Sequence, residues 1–160
     1  MKKLLPLIAI IVITFALWQF WPNKTQTITV FFLNTANFNI GREPYEKAVV
    51  RKVTASDPMK AVLEELVKGP TVAEKEDGLE VIKSEATDLR LDFDPETSTA
   101  NVYLIGGCNS RGSTYSISNL IDKNLRQFPE VKYVRIYDPV GKTLGTEGAT
   151  SDSLPTCLQP

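Results

Sequence analysis

The apolar run from Leu4 to Trp21 constrains what this chain can fold into more than any other feature. Lys2 and Lys3 precede the run, and Trp18 lies near its end beside Trp21. A helix over the run would rise about 27 Å, close to the roughly 30 Å hydrocarbon thickness of a bilayer, with cations and aromatic rings at its two ends. We therefore predict a transmembrane anchor over residues 1–23, which leaves enough chain for one domain with one core.

A cleaved secretory signal is the alternative to an anchor, because it has the same basic start. Bulky Trp18, Phe20 and Trp21 occupy the region where a cleavage site needs small residues, so we favour an uncleaved anchor. No cysteine directly follows the run to accept a lipid. Lys2 and Lys3 predict a cytoplasmic N-terminus, which places the domain outside the cytoplasm as part of a single-pass protein of the cell membrane.

Composition excludes several classes of function. The chain has no histidine, which removes the commonest general base, the Ser-His and Cys-His nucleophile pairs and every histidine-containing zinc site. It has 18 Lys and Arg, including Lys2 and Lys3, against 19 Asp and Glu. A domain without excess positive charge is not expected to bind nucleic acid. We predict a non-enzymatic protein with no metal or other cofactor.

Periodicity indicates alternating strands and helices. The clearest helix begins after Asp57 and Pro58, repeats apolar residues from Met59 to Val67 on one face, and ends at Gly69-Pro70. A second helix is expected between Ser113 or Thr114, as its cap, and Pro129. Strands are expected at residues 28–33, 49–53, 88–94, 100–104 and 131–138.

This order predicts an α+β fold of the split β-α-β type, with about four to five strands and both helices on one face of the sheet. Residues 24–27 are expected to be a linker and residues 28–138 the folded domain. Residues 139–160 lack periodicity, so we expect a tail that must be tied down to be ordered.

A glycine-rich loop separates the fourth strand from the second helix. Gly107, Gly112, Ser113 and Thr114 have the spacing of a nucleotide-binding P-loop. That motif requires a lysine where this chain has Ser113, so nucleotide binding is not expected. A weaker anion or partner contact through Arg111, Ser113 and Thr114 at the helix N-terminus remains open.

Two cysteines are present, Cys108 in the glycine-rich loop and Cys157 in the tail. Arg111 and a helix N-terminus could activate Cys108 as a nucleophile, although there is no histidine to act as its base. In an exported chain a disulfide between Cys108 and Cys157 is the better interpretation, since it would also hold the tail on the domain.

Acidic residues alternate along the strand over residues 88–94. Asp88, Asp92 and Asp94, with Glu96, could be calcium ligands, or Asp92 and Asp94 could be an acid–base pair that acts on wall glycan. A solvated strand face is the more ordinary interpretation of such alternation.

Three tyrosines alternate with the expected core positions of the last two strands. Tyr103, Tyr133 and Tyr137 are expected to line the helix-free face of the sheet, either under the tail or as an interaction surface.

The chain also resembles the GerMN domain family. The resemblance lies in "AVLEELVKGPTVAEKEDGLEVI" (Ala61–Ile82), supported in order by the strand at Ile28, the arginine of "VVRKV", "ANVYL" and "LRQFPEVKYVRIYD". It implies a domain exposed in the bacterial envelope, with some members linked to sporulation and germination, a fold similar to ring-building motifs, and no known catalytic residues. This chain resembles a single-copy member with a membrane segment in place of a lipid-bearing cysteine.

Together these observations predict an interaction or scaffolding module that is anchored through Leu4–Trp21 and contacts another envelope protein or a second copy of itself. The alternatives are a module that binds wall glycan or a small ligand, and an accessory to wall-modifying enzymes.

Overall fold

The domain begins with a long strand and alternates strands with short helices. A computed structural model describes residues 24–82, 84–112, 115–146 and 148–159, so the predicted anchor over residues 1–23 lies outside the described residues. Within the described ranges no helix is long and apolar enough to span a membrane. The elements are β1 (Thr25–Asn34), α1 (Thr35–Asn39), β2 (Glu46–Thr54), α2 (Pro58–Lys68), α3 (Val72–Glu76), β3 (Leu79–Glu80), β4 (Ala86–Asp94), β5 (Thr99–Gly106), α4 (Ile117–Leu125), β6 (Tyr133–Tyr137) and a 3₁₀ turn at Thr156–Leu158.

These strands form two sheets of three strands each, in the orders β2-β1-β3 and β4-β5-β6. All neighbours are antiparallel except β5 and β6, which are parallel and joined by α4. The α+β class is therefore confirmed, but the expectation of four to five strands in one sheet is wrong. Strand β3 has only two residues, too few to show a period, and residues 25–27 begin β1 rather than forming a linker.

Helices α2 and α4 each contact both sheets, so the whole domain shares one hydrophobic core. Helix α2 packs on β1 and β4, and α4 packs on β1, β6 and α2. The largest fully buried side chains come from β1, α2, β3, β5, α4 and β6: Val30, Phe32, Val62, Leu63, Leu66, Leu79, Val102, Leu104, Leu120, Ile121, Leu125 and Ile136. Helices α2 and α4 thus join the two sheets through apolar contacts.

Helix α2 follows its sequence signals closely. The Asp57 carboxylate accepts a hydrogen bond from the Lys60 N–H at 3.2 Å, and Gly69 ends the helix with φ at +80°. The next residues form α3, because Thr71 and Glu74 build a reciprocal capping box. The prediction of α2 is confirmed.

Helix α4 is capped by Ser116, whose hydroxyl accepts from the Ser118 N–H, with Asn119 completing the capping box. The predicted cap at Ser113 or Thr114 is therefore wrong in register, and those two residues lie outside the described residues. The helix also ends at Leu125, short of Pro129.

Side chains of α4 and its C-terminal turn complete the edge of β1 that β3 leaves open. Asn124 is fully buried; its Oδ1 accepts from the Phe31 N–H at 2.9 Å, and its Nδ2 donates to the Phe31 carbonyl at 2.9 Å. Gln127 donates to the Thr29 carbonyl at 3.0 Å. The helix thus supplies backbone partners that a longer neighbouring strand would have supplied.

Candidate functional site

The C-terminal tail is ordered because it is held at two points. Cys108 and Cys157 form the disulfide predicted from the sequence, with their Cα atoms 5.6 Å apart. Farther up the tail, Ser153 pairs with β6: its N–H donates to the Val134 carbonyl at 3.2 Å, and its carbonyl accepts from the Ile136 N–H at 2.9 Å. The tail therefore covers the outer edge of β6.

The glycine-rich loop is a tight corner rather than a phosphate cradle. Gly106 has φ at +95°, and a Cβ on Gly107 would lie 2.5 Å from the Cβ of Glu85. Only glycine permits this approach, in which the Gly107 N–H donates to the Glu85 carbonyl at 2.9 Å. Arg111 is exposed with φ at +54°, and its own N–H donates to the Asn109 side chain.

The acidic residues of β4 serve local structure. Asp94 accepts from the Glu96 N–H at 2.9 Å and from the Thr97 hydroxyl at 2.6 Å, and these hydrogen bonds lower the pKa of its carboxyl group. Asp88 accepts from the Leu89 N–H, while Asp92 is exposed. Across the described ranges, no three acidic or cysteine side chains group closely enough to hold a metal ion.

The predicted tyrosines lie on the face of the second sheet that points away from the core, alternating with buried Val102, Leu104, Val134 and Ile136. Arg90, Tyr103 and Tyr137 form one row across β4, β5 and β6. The Tyr103 and Tyr137 rings stack with centroids 4.6 Å apart, and the Arg90 guanidinium lies 4.2 Å from the Tyr103 centroid. Tyr133 is half-buried at the start of the same face.

Arg135 is the residue on this face that sequence reasoning missed. It is 2% exposed, and its guanidinium donates to the carbonyls of Ala149, Ser151 and Thr146 and to the Tyr137 hydroxyl. Alternation places it beside the tyrosines, on a face for which the sequence left open whether the tail covers it, and no local signal marks Arg135 itself as buried. Arg135 therefore holds the tail against the sheet through hydrogen bonds to the backbone carbonyls of the tail.

A cleft of about 410 Å³ lies between the tyrosine row and the tail. Its walls are Tyr103, Tyr137 and Arg135 on the sheet side and Lys142, Thr143, Gly141 and Gly145 on the tail side. The Thr143 hydroxyl donates to the Ser153 hydroxyl at 2.9 Å, which fixes the tail wall. This cleft, referred to below as the Arg135 cleft, brings two of the three predicted tyrosines together with residues not singled out from the sequence.

A second arginine forms a structural clamp. Arg51 on β2 contacts Glu65 at 2.7 Å, Glu74 at 2.5 Å and the Gly69 carbonyl at 3.0 Å, so it joins α2 to α3. Burial alone would raise the pKa of Glu65, but hydrogen bonds from Lys68 and Arg51 outweigh it and lower that pKa. The pKa of Glu74 is lowered in the same way, with burial outweighed by hydrogen bonds from Thr71 and Arg51.

An aromatic cluster beside the start of β2 was also missed. The rings of Phe38, Tyr45 and Tyr115 lie 5.4 to 5.8 Å apart, and the Tyr115 hydroxyl donates to Glu46. Burial, followed by the hydrogen bond to Glu46, raises the pKa of Tyr115. Tyr115 is far in sequence from Phe38 and Tyr45, so only the fold reveals the cluster.

Strand β2 forms one edge of its sheet, since β1 is its only strand partner among the described residues. Antiparallel pairing uses every second residue, so alternate backbone groups of this nine-residue strand face away from β1. Val50, at its centre, is 68% exposed.

Comparison with known proteins gives one family and one related fold. A family model described as Germane, sporulation and spore germination, matches residues 29–138, more than half of the chain. A solved structure of the tandem GerMN domains of the sporulation protein GerM from Bacillus subtilis matches with 19% identity and a TM-score of 0.45. That match covers 74% of this chain and 43% of the solved one, so the chain spans less than half of the protein it resembles. No curated protein matches the sequence.

Proposed function

Because this chain belongs to the Germane family, as its resemblance to the GerMN domain indicated, we propose that it is a membrane-anchored, non-catalytic interaction module of the cell envelope. The proposal places the domain outside the cytoplasm, held by Leu4–Trp21. Its partner is another envelope protein or a second copy of the chain.

The disulfide and the apolar run support the extracytoplasmic location independently. A bond between Cys108 and Cys157 is stable in an oxidising compartment and rare in a reducing one. The run at Leu4–Trp21 has the length and flanking residues of a single membrane span.

The observation that carries the interaction role is the open edge of β2. A strand with free backbone groups can accept a further strand from a partner, which is a common mode of protein recognition. Exposed Val50 lies at the middle of this edge, flanked by Ala48 and Lys52 two residues away. The lysine limits indiscriminate pairing, as charged residues do on natural edge strands, so we expect a specific partner.

Crosslinking in intact cells tests this role. A photoreactive amino acid replaces Val50 in the full-length protein, and the matched control carries it at Val72, a valine that is 75% exposed on α3. We expect position 50 to give a discrete crosslinked adduct, either with one identifiable protein or with a second copy of the chain. We expect the same adduct to be absent from position 72. Substitution of Lys for Val50 should weaken association in co-purification, whereas the same substitution at Val72 should not. If position 50 yields no adduct, or both positions yield the same adducts, the edge is not an interaction site.

The location is tested separately by treating spheroplasts with protease. We expect residues 24–160 to be digested from outside while the N-terminus stays protected. Protection of the whole chain would contradict the proposed topology.

A further inference from the structure

We propose that the Arg135 cleft is a binding site for a small ligand that carries one oxyanion group, a carboxylate or a phosphate. This goes beyond the interaction role, since it depends neither on the membrane anchor nor on the edge of β2. Three features support the site: a buried guanidinium at the cleft, a further cation at its rim, and the size of the cleft.

The guanidinium of Arg135 is buried, and no described residue supplies a counter-charge to it. An arginine side chain has five N–H donors, and four hydrogen bonds use Nε once, Nη1 twice and Nη2 once. One N–H of Nη2 therefore remains for a ligand. All four acceptors are neutral, and in the described part of the chain Arg135 forms no ion pair. Since buried charges in proteins are normally paired, an anion bound in the cleft would give this group the counter-charge that the described residues do not supply.

The rim of the cleft adds donors and positive charge. Lys142 lines the cleft, is exposed, and forms no ion pair with any described residue. Its own backbone N–H donates to Asp138, so that carboxylate is engaged by the turn. Arg90 lies over the far side of the Tyr103 ring, which brings a third cation near the same wall.

The cleft also limits the size of the ligand. Its volume of about 410 Å³ lies near the lower end of the range of small-molecule sites, roughly 300–1,000 Å³. The Tyr103 ring contacts Arg90 and Tyr137, so it is already part of a stack. The cleft therefore favours recognition of a compact acid through hydrogen bonds from Arg135, Tyr103 and Lys142, which all line it.

Nuclear magnetic resonance titration of the full-length protein in detergent micelles tests the site. The probes are sodium phosphate and sodium acetate, each compared with sodium chloride at the same ionic strength. We expect saturable shifts at the Arg135 Nε–H and at the rings of Tyr103 and Tyr137 with at least one of the two oxyanions, and none with chloride. Saturation by phosphate alone identifies a phosphate-bearing ligand, by acetate alone a carboxylate-bearing one, and by both a general oxyanion site.

Substitutions at the rim separate binding from folding. Lys142→Gln removes one charge-assisted hydrogen bond and should weaken the oxyanion affinity about tenfold. Lys132→Gln is the matched control, since Lys132 is also exposed but lies just before the opposite end of β6. Tyr103→Phe keeps the stacked ring and should weaken binding severalfold. Linear shifts that match those of chloride, or equal affinity in the Lys142 and Lys132 variants, would overturn the proposal.

Discussion

Replacement of Asn124 by alanine should separate α4 from the edge of β1 and destabilise the whole domain. The change removes both hydrogen bonds to Phe31, leaving its N–H and carbonyl without partners. An unsatisfied backbone group in a protein interior costs about 1–3 kcal/mol. The Leu120 carbonyl also loses a contact with Asn124, but it keeps its ordinary helical acceptor role.

The expected loss is the cost of leaving the Phe31 N–H and carbonyl unpaired, less the gain from the helix propensity of alanine. Alanine has the higher helix propensity, which returns about 0.5 kcal/mol. We therefore expect the free energy of unfolding to fall by about 1.5–5.5 kcal/mol, a large part of the roughly 5–15 kcal/mol that is typical of a folded domain.

Urea unfolding of the full-length protein in mild detergent measures this loss. Both tryptophans precede residue 24 and all five tyrosines follow it, so near-ultraviolet circular dichroism of the tyrosines reports on the domain. We expect a lower midpoint with an unchanged slope, and faster hydrogen exchange at the Phe31 amide. Asn39→Ala, at an exposed position, is the control and should stay within about 0.5 kcal/mol of the parent. An unchanged midpoint together with a protected Phe31 amide would refute the role assigned to Asn124.

Three further predictions follow from the disulfide, the arginine clamp and the aromatic cluster. Replacing both Cys108 and Cys157 with serine opens a loop with a sequence separation of 49, which should lower the free energy of unfolding by about 2–4 kcal/mol and expose the tail to limited proteolysis; a tail that stays resistant would contradict this. The lowered pKa values of Glu65 and Glu74 contribute stability that is present above about pH 4.5 and lost as pH falls through the folded pKa values, so urea midpoints should drop between pH 6 and pH 3, with a shallower drop in Glu65→Gln. The raised pKa of Tyr115 keeps its hydroxyl protonated above the usual range for tyrosine, so alkaline titration at 295 nm should show a late-ionising component that Tyr115→Phe removes.

Elements with local signals could be predicted from the sequence. Helix α2 has a cap, a one-sided apolar repeat and a glycine stop within a short stretch, so its bounds follow from neighbouring residues alone. The hairpin of β4 and β5 likewise follows from alternation on both sides of one turn. The disulfide was predictable because a chain with two cysteines allows only one intramolecular pairing.

Features that depend on distant residues could not be predicted in this way. Asn124 is a polar residue inside an apolar helix face, and its role is visible only when Phe31 lies beside it, 93 residues away in sequence. Arg135 fits a solvated strand face until the tail covers it with backbone carbonyls. The third strand of the first sheet is β3, whose pairing with β1 involves only two residues. In each case the contact that decides the structure is made to a backbone group, and backbone groups leave no pattern in the sequence.

The hydrogen bonds between Asn124 and the Phe31 backbone also limit the order in which the chain can fold during its synthesis. The 93 residues that separate the two take about 5–20 s to synthesise at typical elongation rates. During that interval the apolar segment Ile28–Leu33 can pair with β2, but a two-stranded hairpin alone is only marginally stable in water. The strand that emerges first from the ribosome is thus among the last to be completed. Until α4 has been synthesised, this strand keeps an unpaired edge that can associate with other chains.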